Sequence, residues 1–254
     1  MEEPKLAGSR SGTRARTYPE SRMDAVRPSR ALSAAEPRDR EGGIFGLVGA
    51  GVALLSLGLA PPWPAADASE AAIRGYFSAH GSGFLLQMSV LSLGFLVLLR
   101  LYAGLARTVA RGGAEGMGWA ALAGAAVMTV AIVVGNAPWA VLAYRLPTDG
   151  GMLRLLWDLG LLAAFTVVGP CIAAMWVPLG IGALRTGALP AAYGYALLAA
   201  AAVHIGASAC VAHSGVFSPN GPVALLSILA HVACTITGAV LLLRRSSARI
   251  GTDR

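Results

Sequence analysis

Residues 117–143 read MGWAALAGAAVMTVAIVVGNAPWAVLA, a run with no charged side chain anywhere in it. At ~1.5 Å of rise per helical residue, about 20 apolar residues cross the roughly 30 Å of hydrocarbon in a bilayer, and this run exceeds that length. Backbone polar groups inside lipid must be satisfied within the segment itself, which a lone apolar run achieves only as an α-helix. This stretch therefore sets the class as all-α and membrane-spanning.

Apolar runs of the same character lie at 44–60, 84–102, 153–179, 191–211 and 222–243, so the pattern predicts a polytopic bundle of six spans. Composition agrees. Of the 254 residues, 56% are apolar and only 13% charged, with a mean hydropathy of +0.63, whereas about a quarter of a globular domain is charged. Those values exclude an ordinary soluble enzyme, a disordered chain and a disulfide-built secreted domain. The first run halts at Pro61-Pro62-Trp63-Pro64, because proline supplies no N–H and clashes with the preceding turn. Pro138 and Pro170 predict kinks in the third and fourth spans.

The net charge of +7 is almost all arginine, Lys5 being the only lysine. Lys5, Arg10, Arg14, Arg16, Arg22, Arg27, Arg30, Arg38 and Arg40 precede the first run. Arg100, Arg107 and Arg111 follow the second, Arg185 follows the fourth, and Arg244, Arg245, Arg249 and Arg254 follow the sixth. Only Arg74, Arg145 and Arg154 fall on the other side. Cytoplasmic segments retain Lys and Arg, so both termini are expected inside, as an even number of spans requires. The excess of Ala, Gly and Arg suggests a GC-rich bacterial genome, and hence the bacterial plasma membrane.

Three regions follow: a disordered cytoplasmic tail at 1–43, a transmembrane domain at 44–243 and a short basic tail at 244–254. The first apolar core begins too late for a secretory signal, and Met23 is a second candidate start. Between the first two spans, Ile73, Tyr76 and Phe77 fall at i, i+3 and i+4. That spacing predicts a short amphipathic helix at 67–77 lying flat at the outer interface, with a lid over an outer cavity as the alternative.

Two middle spans begin alike, Gly118-Trp119-Ala120-Ala121-Leu122-Ala123 against Gly194-Tyr195-Ala196-Leu197-Leu198-Ala199, after the loops Leu105-Ala106-Arg107-Thr108 and Leu184-Arg185-Thr186. The echo suggests a repeated helical hairpin. The stretch Leu184-Arg185-Thr186-Gly187-Ala188-Leu189-Pro190 leading to Gly194-Tyr195, with Leu156-Trp157-Asp158-Leu159-Gly160, resembles a broad group of actinobacterial integral membrane proteins of unknown function. That resemblance covers roughly residues 44–245 and implies about six helices. It carries over no activity, cofactor or catalytic residue.

Polar groups inside a span are costly and so invite a functional reading. Asp158 is the only carboxylate in any proposed span, and Asn136 and Gln87 join it in the outer half. An i,i+4 salt bridge with Arg154 competes with a cation or proton site for Asp158. His204 and His231 each lie nine residues from the outer ends of antiparallel spans, His204 in a stripe with Ser208 and His231 with Ser227 and Thr235. A small-solute or ion permease would use Asn136, Asp158, His204 and His231 to line an outer cavity.

The same histidines with Cys234 one turn on offer a soft ligand set, which leaves a metal or haem redox protein open although no cofactor is predicted. The competing account is interhelical hydrogen-bond glue, worth only about 0.6 kcal/mol per bond. An accessory subunit of a membrane complex is the third reading. Cys171, Cys210 and Cys234 are odd in number and sit in spans, so packing is expected rather than a disulfide. The glycines of the first span let backbones approach closely. Trp63, Trp139, Trp157 and Tyr144 are expected in an outer aromatic belt, and Trp119, Tyr193, Tyr195 and Tyr102 in an inner one. Walker, Rossmann and nucleophile-elbow patterns are absent, which leans away from an enzyme. The expected partners are the lipid bilayer and a homo-oligomer or membrane protein, with no nucleic acid.

Overall fold

The structure is a computed structural model that describes residues 37–210, 212, 214–219 and 221–250. All of these belong to one compact unit, 35–254. The described residues form helices and connecting turns, with no strand. In chain order the helices are α1 Pro37–Ser56, α2 Glu70–Arg111, α3 Glu115–Gly135, α4 Ala137–Tyr144, α5 Gly150–Leu162, α6 Val168–Thr186, α7 Ala191–Ala207 and α8 Pro222–Ile250. α3 runs into α4, and α5 joins α6 through a π-helical turn at Ala163–Val167, leaving six continuous helical runs. Among the described residues, four of these are long and apolar enough to cross a membrane: Glu70–Arg111, Glu115–Tyr144, Gly150–Thr186 and Pro222–Ser247. α7 is apolar but shorter.

Several boundaries differ from the sequence expectation, each for a local reason. α1 starts at Pro37, inside the expected tail, because Asp39 pairs with Arg111 at 3.5 Å and Glu41 with Arg100 at 3.1 Å along the end of α2. Proline also suits a first helical position. The rest of the expected disordered tail, 1–36, lies outside the described residues. α1 ends at Ser56, where successive i→i−3 bonds from Leu57, Gly58 and Leu59 unwind it ahead of the proline run. α8 continues past 244 to Ile250, and the Arg245 guanidinium donates to the Ala188 carbonyl of the turn before α7.

The flat helix expected at 67–77 does not form. Ser69 caps α2 by accepting from the Ala72 N–H at 3.2 Å, and the helix then runs 42 residues without a break, about 63 Å at ~1.5 Å per residue. Ile73 and Phe77 are buried against the bundle rather than spread on an interface. The α-helical ladder is interrupted close to both prolines. α3 breaks at Asn136, since Pro138 has no N–H to continue the ladder. Ahead of Pro170 the chain relaxes into the π turn, where the Val168 N–H reaches back five residues to the Ala163 carbonyl.

α1 lies against both α2 and α8. Its glycines set how close it comes. A Cβ on Gly49 would stand 3.0 Å from the Gly94 carbonyl oxygen of α2, and one on Gly43 would stand 2.8 Å from the Ala239 carbonyl oxygen of α8. The α8 approach involves Gly42, Gly43 and Gly46 near the arginine-rich end. Towards the opposite end Gly51 has open space where a Cβ would stand. The second end, where 57–69 and 145–149 join helices, is called the cap end below.

The cap is aromatic. Trp63, Phe77, Phe84, Trp139 and Trp157 meet edge to face or tilted, with Trp63 and Trp139 at 4.9 Å and Phe77 and Phe84 at 5.1 Å between centroids. Trp139 and Trp157 are at most 1% exposed, so they are core residues and not the belt expected of them. The same correction applies to Tyr102 and Tyr193, both buried, whereas Trp119, Tyr144 and Tyr195 are exposed. Loops are stitched over the cap by arginines. Arg74 donates to the Pro147 and Thr148 carbonyls at 2.6 and 3.3 Å, and Arg154 to those of Ala66 and Ala68 at 2.8 and 3.0 Å.

Candidate functional site

Beneath the cap is a cavity of about 220 Å³, walled by α1, α2, α3, the π turn with α6, α7 and α8. Three of the four residues singled out in the sequence, Asn136, His204 and His231, line it. The helix break places Asn136 at its upper edge, where the side-chain amide donates to the Ser92 hydroxyl at 3.3 Å. Trp63 roofs it, with the indole N–H donating to the Gln87 side-chain oxygen at 3.2 Å. Gln87 is thereby occupied in the cap.

Asp158 does not belong to this site. Its carboxylate accepts from the Arg154 Nε–H at 2.9 Å, one turn away, and it is not among the cavity residues. The i,i+4 spacing and the two carbonyls held by Arg154 turn the pair towards the cap loops. Cys234 is also misplaced for a shared ligand role. Its thiol points to the Ala196 carbonyl at 3.8 Å and lines a separate groove between α7 and α8 with Tyr193. Ser208 turns back to the Ile205 carbonyl at 2.5 Å, and Ser227, though on the cavity wall, donates to the Ala224 carbonyl at 2.7 Å.

His204 and His231 do come level, as antiparallel neighbours at matched depth should. Their ring centroids are 5.8 Å apart and the planes are nearly perpendicular. Both are buried, at 4% and 8% exposure. His231 is held from behind: its Nε2 lies 3.0 Å from the Tyr102 hydroxyl, which also reaches Thr235 Oγ1 at 3.4 Å. Phe95 and Trp176 flank the ring at 5.7 and 5.6 Å.

His231 Nδ1 and His204 Nε2 are buried and have no hydrogen-bond partner. A buried polar atom without a partner costs about 1–3 kcal/mol, so two of them on one cavity need a reason. The sequence reading missed Tyr102, assigning it to an aromatic belt because it closes a span. Its position four turns or more from the cap carried no sign that it faces α8.

Among the described residues, no three His, Cys, Asp or Glu side chains are grouped so as to hold an ion. At about 220 Å³ the cavity is below the ~300–1,000 Å³ usual for pockets that bury a drug-sized ligand. The three cysteines are free.

No protein family matches the chain, and neither does any curated protein or solved structure. What the described residues define is an all-helical fold with four helices long and apolar enough to cross a membrane, built around a two-histidine cavity.

Proposed function

We propose that this is a six-span protein of the bacterial plasma membrane, with both termini cytoplasmic, that takes a small uncharged solute into its cap-end cavity for binding or passage. The observation carrying this reading is that two residues lining one cavity, His204 and His231, each keep a buried ring nitrogen without a partner. None of the described residues lining the cavity is a carboxylate, lysine or arginine, which favours an uncharged solute over an ion. α1 and α7 complete the six spans: α7, at 17 residues, covers about 26 Å at ~1.5 Å each. The arginine distribution supports the orientation, with Arg74, Arg145 and Arg154 at the cap end outside.

Single-cysteine scanning on a chain with Cys171, Cys210 and Cys234 replaced by alanine tests both parts. Asp149→Cys should react with a membrane-impermeant maleimide in intact cells, and Glu115→Cys only after permeabilisation. Ser227→Cys, on the cavity wall, should react with a small neutral thiosulfonate. Labelling of positions 149 and 115 from the same side overturns the topology. An inert thiol at 227 overturns the solute-accessible cavity.

A further inference from the structure

One side of the cavity is bordered by half-exposed apolar residues. α1 and α8 are in contact near the arginine-rich end, where Gly43 lies against Ala239 and Leu243, but towards the cap the lining includes Leu54 of α1, Leu57 of the turn after it and Ile228 of α8 at 42%, 50% and 45% exposure. These large apolar side chains border the cavity and the protein's outer surface at once. In a bilayer that surface faces acyl chains, so this side leads towards lipid and not to bulk water.

The interior is selective in the opposite sense. Its lining includes His204 and His231, residues more than nine-tenths buried whose Nε2 and Nδ1, respectively, have no protein partner. A neutral imidazole offers one N–H donor and one acceptor, so it binds a hydroxyl or a carbonyl oxygen without a change of charge. With Tyr102 holding Nε2 of His231, that ring cannot swing away to satisfy itself. The volume of about 220 Å³ admits a head group and leaves a long tail to pass out between α1 and α8.

We infer that the ligand is a neutral amphiphile entering from the bilayer between α1 and α8, its hydroxyl or carbonyl head held by the ring nitrogens of His204 and His231. The inference rests on the cavity reading of the preceding section and adds the class of molecule and its route.

The test uses the full chain in liposomes of phosphatidylethanolamine and phosphatidylglycerol, with three photoreactive diazirine probes of equal chain length: a primary alcohol, a fatty acid and the plain hydrocarbon. The alcohol should crosslink to Leu54, Leu57 or Ile228 at least tenfold more than the hydrocarbon. His204→Leu should remove that preference, while His204→Gln, whose amide reaches the same depth, should restore most of it. Ile228→Trp, at a half-exposed position that folding tolerates, should lower labelling several-fold by narrowing that route.

Equal labelling by hydrocarbon and alcohol would make the space a slot for acyl chains and overturn the inference. So would preference for the fatty acid, which would mean a charged head, or retention of the alcohol preference in His204→Leu. The two readings fail separately. If Ser227→Cys reacts with the thiosulfonate but no probe reaches the cavity, the cavity stands and the amphiphile falls. If neither enters, both fall.

Discussion

Arg154 with Asp158 and His204 with His231 are two polar pairs near the same end of one bundle, and they end in opposite conditions. Arg154 spends its guanidinium on Asp158 and two loop carbonyls, and the carboxylate is answered in turn. The histidines meet ring to ring but keep a nitrogen each without a partner. A polar pair that saturates itself ties loops together, whereas one left open under burial calls for an explanation such as a water, an ion or a ligand. The difference separates a structural cap from a candidate site beneath it.

Substitutions can break or sharpen that contrast. Trp139→Ala should have the largest effect, a loss of about 3–5 kcal/mol, because it empties the centre of the cap and removes the indole bond to the Trp157 carbonyl at 3.2 Å. Thermal unfolding in detergent reads it directly. Arg154→Ala comes next at ~2 kcal/mol, since three charge-assisted bonds are lost from a partly exposed site. Proteolysis between α1 and α2 should speed up in this variant, as residues 66 and 68 are released.

Tyr102→Phe should cost ~1 kcal/mol, because His231 Nε2 is then buried without its phenol. It should also weaken binding of the alcohol probe, as the ring loses its fixed orientation. His204→Leu should have the smallest effect on folding, within about 1 kcal/mol of the parent, because the nitrogen it removes has no partner to lose. A stability loss equal to that of Arg154→Ala would place the histidines with the cap and erase the contrast.

Much of this architecture could be read from the residues, and the failures have physical causes. Helix class followed from uncharged runs such as 117–143, which lipid allows in no other form. The salt bridge at Arg154 and Asp158 was visible as i,i+4 spacing, and the matched depth of His204 and His231 as equal distances from span ends. The extension of α2 was not visible: Ile73 and Phe77 give the same periodicity whether they face lipid or Trp157, and only tertiary packing chooses.

Tyr102 was hidden for a related reason. An aromatic at a span terminus fits a membrane belt as well as it fits a core, and what decided it was the placement of α8 beside α2. Cys234 lies one turn from His231 along the helix, yet its thiol meets α7 at Ala196 instead of the cavity. Spacing along one helix gives proximity in depth, and the direction of a side chain depends on neighbours that the spacing does not contain.

The open nitrogens can be observed directly by ¹⁵N solid-state NMR of the protein with labelled histidine in bilayers, with and without the long-chain alcohol. His80, exposed on α2, is an internal reference. The account predicts that the free protein shows one ring nitrogen of His204 and one of His231 without a hydrogen bond, and that both shift when the alcohol is added while His80 stays fixed. Ring nitrogens already hydrogen-bonded in the free protein and unmoved by the alcohol would contradict it.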